Sequence, residues 1–444
     1  MSDGRVLVVG TTPDYVALIR ERYPRRVLFL TDVSQYAGTS GFRPGDTDEV
    51  LCDLQDTENV ISVLREQLEE RCLRLTGVAG FDCEWLVLAA VIAQRFDLPF
   101  PQPAAVRLSR DKHQTKLKWS EFGVPCPKTE LIRSTGQAAR FVKKLGRPAV
   151  FKPLTGSGSE LTFRCDNRSE VEPLLRTISK GLVQRDRLPL YRADAVEGGE
   201  VAGGLSVLVE EFVEGPEFSA DFIVEGDRVS VIRVARKIRD GSLPFGTTTA
   251  YVVPASLPEP LNHEDLGRKL GEAARALGLS RAICMVDFIV RKEEVVFLEL
   301  TPRIGGDCLP PLVRQCCGLD TIGLALDFAE NRPWHLPPAE QWRPLVGLRL
   351  LARQRGAISG FKVSALSDDS RVKEVYLKRT PGHRVNLPPE DYDSWVLGHV
   401  IFEPQPGESA ERQCEDLRQM FVVDMERKDG TELSRVHNAS RGAV

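Results

Sequence analysis

The sequence predicts an α/β protein built from successive units, and three observations carry that prediction. Strand-like and helix-like segments alternate through residues 1–105. Proline-rich joints interrupt the chain at PFPQPAA (99–105) and RPWHLPPAE (332–340). Between and after them, strands and helices come in separate runs. A length of 444 residues suggests about two to four domains. We place them at 1–105, 106–335 and 336–427, with a polar, frayed tail at 428–444. Apolar content of 42% and charged content of 27% fit an ordinary globular protein. A net charge of −4 advertises neither nucleic acid nor an anionic membrane as partner. The longest apolar run, Trp85–Ala93, is too short to span a bilayer. The start, MSDGRVLVVG, lacks the parts of a secretory signal, so a cytoplasmic location is expected. None of the ten cysteines forms a Cys-x-x-Cys pair, which suggests reduced structural thiols. The six histidines are scattered and suggest no zinc site.

In the first unit RVLVVG (5–10), RVLFLTD (26–32), EVLCDL (49–54) and LTGVAG (75–80) read as buried strands. Residues 57–72 and Cys83–Phe96 read as helices. This alternation implies a parallel sheet covered on both faces, a Rossmann-like layout. Its first turn, GTTPDY, is not G-x-G-x-x-G, so a tight dinucleotide site is not indicated. The second unit opens with a helix, Asp111–Phe122, and a strand, PAVFKP (148–153). The loop Thr155–Ser159, the strand LTFRC (161–165) and a helix near 169–183 follow. Residues 185–204 are polar and glycine-rich, an exposed insertion. Strands are expected at 205–213, 218–226 and 228–237. Asn262 caps a helix that runs through Leu277. The last unit is small and α+β, with strands at VGLRLLA (346–352), KEVYLKR (373–379) and VLGHVIFE (396–403) and a helix at Ser409–Met420.

Three stretches carry chemistry. Lys152 ends a strand just before Gly156-Ser157-Gly158-Ser159, and a glycine-rich turn presents backbone N–H groups that cradle phosphate oxygens. No Gly-Lys-Ser/Thr follows, so it is not a Walker A loop. In Glu210-Glu211-Phe212-Val213-Glu214-Gly215-Pro216-Glu217 an apolar strand runs into acids and a Gly-Pro turn. Such a segment offers backbone groups to a purine edge and a carboxylate to a ribose, although a charged, exposed hairpin would read the same way. The third stretch is DFIVRKEEVVFLELTPRIGG (287–306), a hairpin with an acid on each arm. A three-residue loop at Lys292–Glu294 would set Arg291 against Val295 and Asp287 against Glu299. Directly opposed residues share a face, with Cβ atoms roughly 4.5–5.5 Å apart. Two like charges there are destabilising unless a cation lies between them, and Mg²⁺ uses one or two carboxylates plus substrate phosphates. Arg303, four residues after Glu299, presents a planar fork to a phosphoryl group.

In this order, with Arg110-Asp111-Lys112 ahead of them and Glu299-x-x-Pro302-Arg303 behind, the features resemble the ATP-grasp superfamily over about 106–335. The flanking units are similar to those of biotin-carboxylase-like members. The resemblance implies an ATP-grasp central domain of two α+β subdomains, with ATP and Mg²⁺ (or Mn²⁺ in its place) as nucleotide and metal. Lys112 and Lys152 would bind ATP phosphates, and Gly156, Ser157, Gly158 and Ser159 would close over them. Backbone groups near Glu211 and Val213 would hold adenine, with Glu210 beside its exocyclic amine and Glu217 on the ribose. Asp287 and Glu299 would hold the metal. Thr301 stands where members of the superfamily often have Asn, a poorer ligand that also leaves room for a non-catalytic copy.

The implied reaction is a ligation. A carboxylate takes the γ-phosphoryl group, and an amine then displaces phosphate. Arg303 would steady the transferred group. GLRLLARQRGAISGF (347–361) and the strands after it are similar to the C-terminal domain of L-amino-acid ligases, which implies amino-acid substrates. Arg349 is the candidate for a substrate carboxylate. Lys237, with Arg236 and a flexible segment at 240–251, is the candidate for an acceptor-side lid. A bicarbonate-activating enzyme and an ATP sensor without turnover are the other readings. Related enzymes are often dimers, and no interface is marked in the sequence.

Overall fold

The computed structural model describes residues 3–36, 48–185, 188–191, 207–426 and 434–437. Strands Asp3–Val9, Val27–Asp32, Glu49–Cys52 and Leu73–Ala79 form a parallel sheet, ordered third, second, first, fourth. The first two are buried along nearly their whole length, as expected of a sheet covered on both faces. One face is covered by helices Thr57–Glu70 and Leu86–Arg95, which contribute Val60, Ile61, Leu64, Leu88 and Ile92. The other is covered by Pro13–Arg22 together with a helix from far along the chain, Thr321–Ala329. Neither of those two helices is among the elements expected from the sequence. A helix of the central unit therefore completes the core of the first.

The central unit holds a small antiparallel sheet in the order Thr129–Ile132, Val207–Glu211, Ala149–Pro153, Phe163–Cys165. Helices Thr135–Leu145 and Val171–Gln184 bury Phe141, Val142, Leu175 and Ile178 against it. The large sheet has eight strands. Its order is Glu294–Thr301, Arg281–Arg291, Glu217–Glu225, Arg228–Arg239, Thr248–Val253, Leu345–Leu351, Val396–Phe402, Val372–Leu377. It passes straight through the proline-rich joint, because Ala250 pairs with Leu348 and Tyr251 with Gly347.

Several expectations change here. Residues 248–251, read as part of a flexible lid, lie in an interior strand of this sheet, buried on both faces except at Val252. Only the preceding Asp240–Thr247 forms a loop. Arg185, read as the start of an exposed insertion, is buried, and the rest of 185–204 lies outside the described residues apart from 188–191. Ser434–His437, read as frayed, pairs with Val422–Met425. All ten cysteines are free, and most are buried, with Cys72 exposed.

The hairpin at 281–301 reaches its expected pairing by an unexpected route. Its turn is two residues, not three: Arg291 pairs with Glu294, Val290 with Val295 and Phe288 with Phe297. Continued without interruption, that register would set Asp287 against Leu298. A bulge at Leu298 shifts it by one, so Asp287 does pair with Glu299. The bulge also frees the Leu298 carbonyl, which accepts from Lys116 Nζ at 2.5 Å. Phe288 and Phe297 pack edge-on beneath it, beside fully buried Trp119, whose Nε1 donates to the Ala273 carbonyl at 3.0 Å.

A buried ion pair fixes the turn after the hairpin. Arg233 and Asp221 are cross-strand partners, each 2% exposed. Arg233 donates to Asp221 through Nε at 2.9 Å and Nη2 at 2.8 Å, and to Ser219 Oγ at 2.9 Å. Asp221 Oδ1 also accepts the Gly305 N–H at 3.1 Å. A Cβ at position 305 would press on Arg233 Nη2, so a larger residue there would have to displace this ion pair. The pair thus pins the turn that carries Arg303 and Asp307. Removing one partner of a buried pair strands the other charge. We expect Arg233→Leu to lower stability by about 3–5 kcal/mol in urea unfolding, and a loss under about 1 kcal/mol would contradict this role.

Candidate active site

Two connecting cavities lie along the large sheet, the smaller between it and the small sheet and the larger between it and the first unit. Lys112, Gly156, Ser159, Asp287 and Glu299 line both. The smaller is walled by Lys152, Glu210, Phe212, Val213 and Glu217. The larger is walled by Lys237, Thr301, Arg303 and Arg349. The structure therefore brings the candidate residues to one continuous cleft, except Arg236, which lines neither cavity and pairs with Glu411.

Local sequence explains how several of them arrive. Asp111 N-caps the helix Lys112–Glu121 by accepting from the N–H groups of His113 and Gln114, both at 2.9 Å. The cap makes Lys112 the first helical residue, and its Nζ donates to the Gly156 carbonyl at 2.8 Å. Lys116 lies one turn on, on the same helix face. It is a site residue that the sequence motifs do not single out, although its i, i+4 spacing from Lys112 was the available signal. The loop after Lys152 has positive φ at Gly156 (122°), Gly158 (65°) and Ser159 (61°). Ser159 Oγ donates to the Gly246 carbonyl at 3.1 Å and so ties this loop to the one at 240–247.

The cleft is a lattice of opposed charges. Lys152 and Lys116 grip Glu210, at 2.7 and 2.9 Å. Lys237 bridges Asp287 Oδ2 at 2.6 Å and Glu217 Oε1 at 2.9 Å, and Arg239 also contacts Glu217. Lys112 Nζ stands 3.8 Å from Glu299 Oε2. Burial lowers the pKa of Lys112 and Lys116. Burial raises that of Asp287 in spite of Lys237. On Glu299 burial is outweighed by Lys112, Lys152 and Lys237, and its carboxyl is held below the usual range. Two carboxyls on one face thus titrate apart because one faces three lysines and the other is deeper with one.

Some placements differ from expectation. The Glu211 N–H is spent on the Lys128 carbonyl at 2.8 Å, and its carboxylate turns to Arg147 and Arg291. Glu211 therefore offers no free N–H to a base edge. Among the described residues the Val213 amide makes no backbone hydrogen bond. Glu210 and Glu217 are counter-ions to lysines and an arginine, although Glu210 Oε1 and Glu217 Oε2 accept no hydrogen bond among the described residues. Arg303 donates to Cys83 Sγ at 3.1 Å and to the Ile304 carbonyl at 2.6 Å. Arg349 pairs with Asp307 at 2.6 Å and donates to the Thr248 carbonyl at 2.8 Å. Arg239, Asp307 and Cys83 have no local signature in the sequence.

Among the described residues no group of three or more His, Cys, Asp or Glu is placed to hold a metal ion by itself. Asp287 and Glu299 are a pair, and Thr301 lies two residues further along the same strand face, half-buried. Asp287 Oδ1 is buried with no hydrogen-bond partner among the described residues. A buried oxygen of that kind is costly unless a donor or cation meets it. No helix among the described residues is long and apolar enough to cross a membrane.

Residues 145–311 match the family described as the ATP-grasp domain. The chain is 27% identical over 316 residues to Homo sapiens carnosine synthase 1, an alignment covering 68% of this chain and 36% of that protein. It is 26% identical over 240 residues to the D-alanine–D-alanine ligase of Acidovorax ebreus (strain TPSY), covering 52% and 65%. It thus spans less than two thirds of the length of either relative. The crystal structure of L-amino acid ligase from Bacillus licheniformis superposes with a TM-score of 0.74 at 18% identity, over 96% of this chain and 100% of that one, and shows the shared fold. The matched segment holds Lys152, the glycine loop, both opposed acids and Arg303, and the chain carries an ATP-grasp domain.

Proposed function

We propose that the protein is an ATP- and Mg²⁺-dependent carboxylate–amine ligase that forms an amide bond through an acylphosphate, with amino acids as substrates. The observation that carries this reading is the pairing of Asp287 with Glu299 where the two cavities meet, inside a ring of lysines. The relatives named above supply the amino-acid class. ATP seats in the smaller cavity, its phosphates toward Lys112, Lys152 and the Gly156–Ser159 loop.

The donor set fits magnesium. Two carboxylates, one with an unpartnered buried oxygen, are what Mg²⁺ takes from protein when phosphate oxygens complete its shell. Bound there, the ion would neutralise phosphate charge as a Lewis acid. The chain's own part is positioning and charge stabilisation. Lys112 and Lys152 place fixed positive charge at the phosphates. Arg303, pinned through Gly305 by the Asp221–Arg233 pair, presents its fork where the substrate carboxylate takes up the γ-phosphoryl group and ADP leaves. Arg349, oriented by Asp307, faces the larger cavity and holds a carboxylate group of a substrate. The amine then attacks the acyl carbon, and phosphate departs.

Phosphate release screened over pairs of amino acids, with mass spectrometry of the products, tests the reading. Release that requires both a carboxylate and an amine supports it. Release with bicarbonate alone, or none with any pair, overturns it. Glu299→Gln removes one charge from the pair and should abolish Mg²⁺-dependent turnover in a protein that still unfolds cooperatively; retained turnover would refute the metal assignment. Lys152→Met keeps the apolar stem. It should weaken ATP binding by roughly 10–100-fold, the loss of a charge-assisted hydrogen bond, as read by calorimetry. Unchanged affinity would refute the phosphate contact.

A further inference from the structure

The larger cavity exceeds what the phosphates and a reacting carboxylate occupy, and its outer wall has a chemistry of its own. Most acids on its walls have a cationic partner. Asp307 has Arg349, Asp393 has Lys378 and Arg379, and Glu160 has Arg185. Asp82 and Asp14 differ, since among the described residues neither is engaged by a lysine, arginine or histidine side chain within ion-pair distance. Asp82 is held in place, its Oδ2 accepting from Thr11 Oγ1 at 3.0 Å. Burial raises its pKa, against the more distant charge of Arg303. Arg303 faces it from beyond ion-pair distance, and a half-buried carboxylate without a direct ion pair leaves a place that a ligand's charge can take.

The neighbouring surface is aromatic. Tyr15 packs against Phe81 at 5.9 Å between ring centroids. Across the chamber Tyr376 is 40% exposed and packs on His399 at 5.0 Å. His399 is fixed by Glu374 at 3.1 Å, and Glu374 by Gln315 at 3.3 Å. Arg349, His399 and Tyr376 are successive partners across three strands, so this platform continues the sheet floor that carries the carboxylate-binding arginine. Within one chamber, a braced, solvent-open ring and, across from it, an acid without a direct ion pair both attract a cationic nitrogen.

Resting on the ligase reading, we infer that Asp82, with Tyr15 and Tyr376, forms a cation subsite. It seats a positively charged nitrogen of the substrate other than the attacking amine. That nitrogen is either the α-ammonium of an amino acid or the charge on a basic side chain. The subsite would make the enzyme select ammonium-bearing carboxylates over neutral ones of equal length.

Calorimetric binding of hexanoate, norleucine and 6-aminohexanoate, with Mg·ADP present, tests this without turnover. Wild-type protein should bind at least one amino compound roughly 10-fold or more tighter than hexanoate, the value of one charge-assisted contact. Preference for norleucine identifies the α-ammonium, and preference for 6-aminohexanoate a distal cation. Asp82→Asn, nearly isosteric, should erase the preference while leaving Mg·ADP affinity unchanged, which also reports folding. Tyr376→Leu should reduce the preference by a smaller factor. Equal binding of the three probes to wild-type protein, no binding of either amino compound, or a preference that survives Asp82→Asn overturns the subsite. Failure of the ligase reading appears separately, as absent phosphate release with any carboxylate and amine, and leaves the probe preference readable.

Discussion

Two carboxylates on one face of one hairpin should not coexist, and the site is arranged around that conflict. Asp287 and Glu299 are opposed in register, and Lys112, Lys152 and Lys237 converge on them from a helix and two strands. Each lysine is itself buried or half-buried, so acids and lysines require one another. If either set were deleted, uncompensated charge would be left in a low-dielectric cleft. This interdependence makes the cleft a fixed electrostatic template, the form of preorganisation that phosphoryl transfer needs.

The template depends on parts that carry no charge. The bulge at Leu298 brings the two acids into opposition, and it gives Lys116 a carbonyl to hold. Lys116 in turn helps Lys152 neutralise Glu210. Beneath it, Phe288, Phe297 and Trp119 fill the core. On the other side the Asp221–Arg233 pair fixes the turn after Arg303. A close-packed interior transmits such placements because its side chains have nowhere else to go.

The large sheet unites the two ends of the proposed reaction. Its first strands carry Glu299 and Asp287, and its last carry Arg349, His399 and Tyr376. A ligase that must hold a phosphorylated carboxylate and present an amine to it gains from one rigid floor under both. The loops at 156–159 and 240–247, joined through Ser159 and Gly246, sit over the smaller cavity at one end of that floor.

The sequence alone determined the alternation of strands and helices in the first unit, the Asn262 cap, the glycine loop and the spacing of the two acids. Each is a local matter of periodicity, turn chemistry or capping, and local signals survive in one dimension. The opposition of Asp287 and Glu299 was legible, although the turn and the bulge contributed compensating errors of one residue. The tertiary structure decided what long-range packing decides. It placed Thr248–Val253 inside the sheet, since a short apolar run becomes a strand only where flanking strands accept it. It gave Glu210 and Glu217 to lysines, withdrew the Glu211 amide into the backbone, and brought Asp82, Cys83 and Tyr15 from the first unit against a cleft built by the other two. Those partners are tens to hundreds of residues apart, and no spacing along the chain encodes a contact that only the folded surfaces create.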